Sequence, residues 1–161
     1  MTGGSLEQQI AALIHAYAPQ LRKATPRGPY VEDGDYDRFK YALAKIIAQH
    51  LRRLPCVEKI YYADLASGEF ISQQPYYGRD LDLLVVTRGC TGTAEGLARR
   101  LEQETNAAVA RHARAEGLQW LAHIAETNGV LEIHVDDRYA LTAYHNEQKG
   151  TLSDTNAIPL A

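Results

Sequence analysis

The chain has 161 residues, 45% of them apolar and 23% charged, which is the length of one ordinary domain and the balance of a globular protein rather than a disordered or fibrous one. A formal net charge of -3 excludes a sequence-wide polycation, and no clear nucleic-acid patch stands out beneath that average. No stretch is apolar for long enough to cross a bilayer, and the opening "MTGGSLEQQI" lacks a basic segment followed by an apolar run, so the expected setting is the cytoplasm, away from membrane.

One domain over residues 1–161 is expected, with an N-terminal helix and loop over 1–30, a core over 36–136 and a C-terminal tail over 137–161. "SLEQQIAALIHAYA" reads as a helix: Leu6, Ile10, Leu13, Ile14 and Tyr17 recur at helical spacing, and Ser5 with Gln8 forms a capping box. Pro19 is a candidate stop, and "ATPRGPYVEDGD" has the turn residues of a loop. A second amphipathic helix carries Tyr36, Phe39, Leu43, Ile46, Ile47, Leu51 and Leu54, with Asp35 as a cap and Pro55 as its end. Arg52 and Arg53 at that end read as solvated charge favourable to the helix dipole.

"VEKIYYA" reads as a strand, and the nearly all-apolar "LDLLVVT" as an interior strand covered on both faces. The long connection between them, "DLASGEFISQQPYYGR", contains Ser67 and Gly68, small enough for backbone to approach a ligand. Thr93 is a candidate cap for a long helix closing at Gly117, and "LQWLAHIAETNG" reads as a shorter one closed by Asn128-Gly129. In "VLEIHV", Leu131, Ile133 and Val135 face one way, Glu132 and His134 the other. The expected fold class is therefore α/β in the broad sense (α+β), a small mixed sheet flanked by helices. The tail carries no readable pattern, and Cys56 and Cys90, in no CxxC or zinc-type spacing, read as reduced, buried thiols.

The chemistry concentrates in "GRDLDLLVVTRG". Residues two apart on a strand share a face, so Asp80 and Asp82 converge, and close like charges need a cation or donors to ionise together. Oxygen ligands of this kind suit Mg2+ or Mn2+, which also bind nucleotide phosphates. Glu132 is the candidate third acid and Asp136 the reserve. There is no GxSxG elbow, Walker loop, GxGxxG or HExxH to support another enzyme class.

From about residue 36 to 136 the chain resembles the minimal nucleotidyltransferases, which share a fold with the polymerase-beta superfamily. That family carries a Gly-Ser motif after its first strand, an Asp-x-Asp pair at the start of the second and an acidic residue in a later strand. "YYADLASGEF" is similar to its Gly-Ser-x-Ala-Arg-Gly-Glu segment through Ala66, Gly68 and Glu69; "RDLDLLVV" matches the pair through Asp80 and Asp82, and "LEIHV" the third acid through Glu132. The resemblance implies a nucleotidyltransferase-like fold with Asp80, Asp82 and Glu132 as catalytic metal ligands, and transfer of a nucleoside monophosphate from a nucleoside triphosphate such as ATP to an acceptor. It also implies a small helical partner protein as one candidate acceptor.

The departure is Ala63-Asp64 where the family has Gly-Ser. Ala63, Asp64, Ser67, Gly68 and Arg79 are then the expected nucleotide-binding residues, with Ser67, Gly68 and Arg79 shifting the phosphate site along the loop; a salt bridge of Arg79 to Asp80 or Asp82 is the equal alternative. The same departure leaves open a non-catalytic nucleotide- or metal-binding module. His134 reads as packed or solvent-facing rather than as a ligand or base, and Tyr76-Tyr77 as core cover rather than a base-stacking pair.

Overall fold

The computed structural model describes residues 4–23, 34–63, 80–137 and 158–160. Its elements run α1 (Leu6–Leu21), α2 (Gly34–Leu51), β1 (Val57–Ala63), β2 (Leu81–Thr87), α3 (Thr91–Ala115), α4 (Gln119–Thr127), β3 (Leu131–Asp137) and β4 (Ile158–Pro159). The sheet has the order β3-β2-β1-β4, with β2 parallel to β3 and β1 antiparallel to both β2 and β4, so the mixed sheet and the α+β class are as expected. A parallel pair needs a crossover, and α3 with α4 supplies it between β2 and β3.

Local sequence accounts for most of these elements. The capping box forms, with Ser5 Oγ accepting from Gln8 N–H at 3.2 Å and the Gln8 side chain accepting from Ser5 N–H at 3.0 Å. Pro19 does not stop α1, which continues to Leu21. Gly117 and Gly129 adopt φ of 76° and 84°, the left-handed geometry that ends α3 and turns α4 into β3 without a Cβ penalty. Two expected caps move: Asp35 lies in the first turn of α2, and Cys90 rather than Thr93 is the N-cap of α3, with no side-chain hydrogen bond there. Leu54 falls beyond the end of α2, and Arg52 and Arg53 are exposed as expected.

The core lies between the helices and one face of the sheet. Leu81, Leu83 and Val85 of β2 join Leu131, Ile133 and Val135 of β3 and Ile60 and Tyr62 of β1 against Ile10, Ile14, Phe39, Leu43, Ile47 and the buried alanines of α3. Every residue of β2 is buried, including Leu84 and Val86 on the other face. Residue β3 Ile133 turns its outward N–H and C=O to α3: Glu102 Oε2 accepts from Ile133 N–H at 2.6 Å, and Arg99 Nη2 donates to its carbonyl at 2.6 Å. Asn106 Oδ1 accepts from Val130 N–H at 2.7 Å. These contacts satisfy a sheet edge that would otherwise invite another strand. At the opposite edge, the tail contributes β4, two residues with no period to read in advance.

Cys56 and Cys90 are not free thiols. They form a disulfide with Cα atoms 6.1 Å apart, because the antiparallel β1–β2 pair brings the residue before one strand next to the residue just beyond the other. No helix among the described residues is long and apolar enough to cross a membrane. The loop from Asp64 to Arg79, the segment 24–33 and the tail 138–157 lie outside the described residues. Cross-linking residues separated by 34 positions removes unfolded-chain entropy worth on the order of 3–4 kcal/mol. A Cys56→Ser, Cys90→Ser variant should lose about that much in urea unfolding; an unchanged midpoint, with dithiothreitol also without effect on the wild type, would show that the bond carries no stability.

Candidate functional site

The sheet register builds the site. Asp82, second in β2, pairs in backbone register with Glu132 of β3 on one side and Ala63 of β1 on the other, and the paired Asp82 and Glu132 point their side chains to the same face. That face is the one opposite Leu81 and Leu83, so the alternation that buries the core lifts the acids away from it. His134, two residues after Glu132, lies on the same face opposite Leu84. Its Nε2 is 3.3 Å from Asp82 Oδ1 and 3.8 Å from Glu132 Oε1. Asp82 is 3% exposed, whereas the Glu132 side chain is 56% exposed, so one acid is walled in and its neighbour opens to solvent.

Asp80 occupies the bend just before β2. Its carboxyl is pushed up from 3.8 to about 6, first by burial and then by the negative charge of Asp82, with Glu132 adding to the effect and Lys40 opposing it. Glu132 is also raised, by partial burial and by Asp82, with His134 pulling the other way. His134 is raised by its hydrogen bond to Asp82 against the opposing effect of burial, with the charges of Asp82, Glu132 and Glu102 adding to the rise. The directions share their causes: burial and neighbouring negative charge raise the proton affinity of Asp80 and Glu132, and the same charges raise that of His134.

Lys40 of α2 is 1% exposed, with its Nζ 3.8 Å from Asp37 Oδ1 and 5.1 Å from the centre of the Tyr36 ring. A lysine that deep is held by charge partners, and it places a cation near the acids from the helix side. Its signal in the sequence is its place: four after Tyr36 and three before Leu43, it stands on the apolar stripe of α2.

The expected residues therefore divide. Asp82 and Glu132 are adjacent, and Asp80 is close enough for both to act on it. Asp136 pairs with Val86, four residues along β3 from Glu132, which puts the reserve acid roughly 13 Å further up the strand. Ala63 lies beside Asp82 through the backbone register. Asp64, Ser67, Gly68, Arg79 and the Tyr76-Tyr77 pair lie outside the described residues. His134, read as packed or solvent-facing, is partly exposed, and the register brings its Nε2 to Asp82, a partner that the spacing within its own strand does not offer. Asp82, Glu132 and His134 each offer a ligand atom within 4.8 Å of the others. Compared with protein-family models, curated proteins and solved structures, the chain matches none of them.

Because Asp80 binds its proton more tightly folded than unfolded, the folded chain carries more protons between pH 3.8 and about 6, and stability falls as pH rises through that window. Asp80→Asn removes the penalty. In chelator, urea unfolding should show the variant more stable than wild type by on the order of 2 kcal/mol at pH 7.5, with the gain vanishing near pH 4. A gain of equal size at both pH values would show that Asp80 is not held against its own charge.

Proposed function

We propose that the chain is a metal-dependent nucleotidyltransferase that moves a nucleoside monophosphate from a nucleoside triphosphate, ATP first among the candidates, to an acceptor hydroxyl. The observation that carries this reading is the β2–β3 register that sets Asp82 beside Glu132, with Asp80 two residues earlier at the mouth of the strand. It gives the resemblance noted in the sequence a spatial counterpart: acids that are distant in the chain meet on one face of the sheet. The donors fit a divalent ion, because carboxylates whose proton affinities are raised by burial and by a neighbouring carboxylate are relieved by a shared cation. Asp80, Asp82 and Glu132 would hold it as Mg2+ or Mn2+, and when bound it supplies positive charge to the phosphates.

The protein's own groups do the rest. Glu132 is half-exposed and raised in pKa, so it can take the proton of an incoming hydroxyl as the new oxygen–phosphorus bond forms and the bond to pyrophosphate breaks. Buried Asp82 stays fixed by its neighbours and orients the cluster. Ser67, Gly68 and Arg79 remain the candidate phosphate contacts, and a small helical protein remains a candidate acceptor. The Cys56–Cys90 disulfide is chemistry more usual in oxidising compartments and counts against the cytoplasmic setting expected from the sequence.

One observation favours a second reading, a nucleotide- or metal-binding module without catalysis. Ala63 pairs with Asp82, and the next residue in the chain is Asp64, where the resembling family has a serine. A further carboxylate near a triphosphate costs on the order of 1–4 kcal/mol at about 4 Å in a wet or partly shielded site.

Pyrophosphate release from each nucleoside triphosphate, with Mg2+ and with Mn2+, separates the two. A transferase releases pyrophosphate, and Asp80→Asn with Asp82→Asn abolishes release while leaving the chain folded. Ala63→Gly with Asp64→Ser should increase nucleotide affinity by about tenfold or more as the repulsion is removed. Nucleotide binding without release in either protein would establish the module, and no binding in any condition would remove both readings.

A further inference from the structure

We infer that His134 is a metal ligand that shares one divalent ion with Asp82 and Glu132, and that it gives the site a preference for manganese and the later first-row metals over magnesium. This deepens the reading above and rests only on its metal half; nucleotide transfer is not required.

The geometry carries it. Two donors on one ion at about 2.1 Å from the metal are about 3.0 Å apart across an octahedral right angle and about 3.4 Å apart in a tetrahedron. His134 Nε2 and Asp82 Oδ1 are 3.3 Å apart, already the edge of a shared coordination polyhedron. Glu132 Oε1 stands 3.8 Å from the same nitrogen, on a half-exposed side chain that needs to close by roughly 0.5 Å to complete the face. All the donor atoms lie within 4.8 Å of one another. The register explains why the nitrogen comes to the acids. Glu132 and His134 share a face of β3, and the imidazole opposite Leu84 reaches back along the strands to Asp82 opposite Glu132.

The donor set also chooses the metal. Magnesium favours oxygen and gives up its waters reluctantly, whereas an imidazole nitrogen suits manganese weakly and cobalt or zinc better, in the order of rising affinity along the row. A cluster of two carboxylates alone would leave magnesium competitive; replacing a water by Nε2 shifts the balance to metals that accept nitrogen. The rival arrangement is an ion pair in which protonated His134 holds both carboxylates with no metal at all.

Calorimetric titration of Mn2+ and Mg2+ into wild type, His134→Gln and Asp82→Asn decides between them. Glutamine keeps an amide donor for Asp82 but has no imidazole, and circular dichroism with thermal unfolding checks that each variant is folded. Wild type should bind Mn2+ at least about tenfold more tightly than Mg2+, and His134→Gln should weaken Mn2+ about tenfold while leaving Mg2+ within about threefold. With Co2+, wild type should show a hyperfine-shifted imidazole N–H resonance that the glutamine variant lacks. Unchanged Mn2+ affinity in His134→Gln, with binding lost in Asp82→Asn, keeps the metal site and overturns the role of His134. Absence of Mn2+ and Mg2+ binding to wild type overturns this inference together with the metal half of the proposed function. Manganese binding that depends on His134, without pyrophosphate release, supports the inference and removes only the transferase.

Discussion

Everything at the acidic cluster depends on the parallel register of β2 on β3. A strand with one face in the core cannot slide by one residue without turning its whole core-facing set to the other side. For β3 that set is Leu131, Ile133 and Val135, each worth roughly 1.5–3 kcal/mol when fully buried. Against this stands the cost of burying and crowding a carboxylate, on the order of 2 kcal/mol for a shift like that of Asp80 from 3.8 to about 6, burial being the larger cause. The apolar term is the larger, so the fold holds the acids together against their own repulsion. That is the condition under which a site can be strained toward a cation before one arrives.

The edge contacts of α3 reinforce the same register. Glu102 and Arg99 grip the two outward groups of Ile133, and Asn106 holds the N–H of Val130 just before the strand begins. Spaced three and four residues apart, these side chains lie along one side of the helix. A shift of β3 would break all of them together. Glu102 has a second effect, since its charge also raises the proton affinity of Glu132 and His134; the residue that positions the strand also adds to the field of the cluster.

Legibility in the sequence follows the range of the interactions. The strand β2 and the alternation of β3 are readable because period-two patterning is local, and the Ser5–Gln8 capping box is contained in four residues. That Glu132 rather than Asp136 lies beside Asp82 is not a local matter: it follows from the crossover through α3 and α4 and from the clamps on Ile133. The same register gives His134 its partner, which no spacing within "LEIHV" could supply. The disulfide is hidden for a similar reason, since Cys56 and Cys90 become neighbours only when β1 and β2 pair across a long connection. Lys40 is the reverse case, visible as a cation on an apolar stripe, but with a meaning that appears only once Asp80 is placed nearby.

The β1–β2 pair also settles where the connection between those strands begins and ends. Strand β1 ends at Ala63, whose register partner is Asp82, and the described chain resumes at Asp80, one residue before β2. At the far end of the pair, the Cys56–Cys90 bond joins the start of one strand to the end of the other. The hairpin is thus closed covalently at one end and opens beside the carboxylates at the other. Ala63 and Asp80, the described residues on either side of the segment 64–79, therefore both lie at the acidic end of the pair.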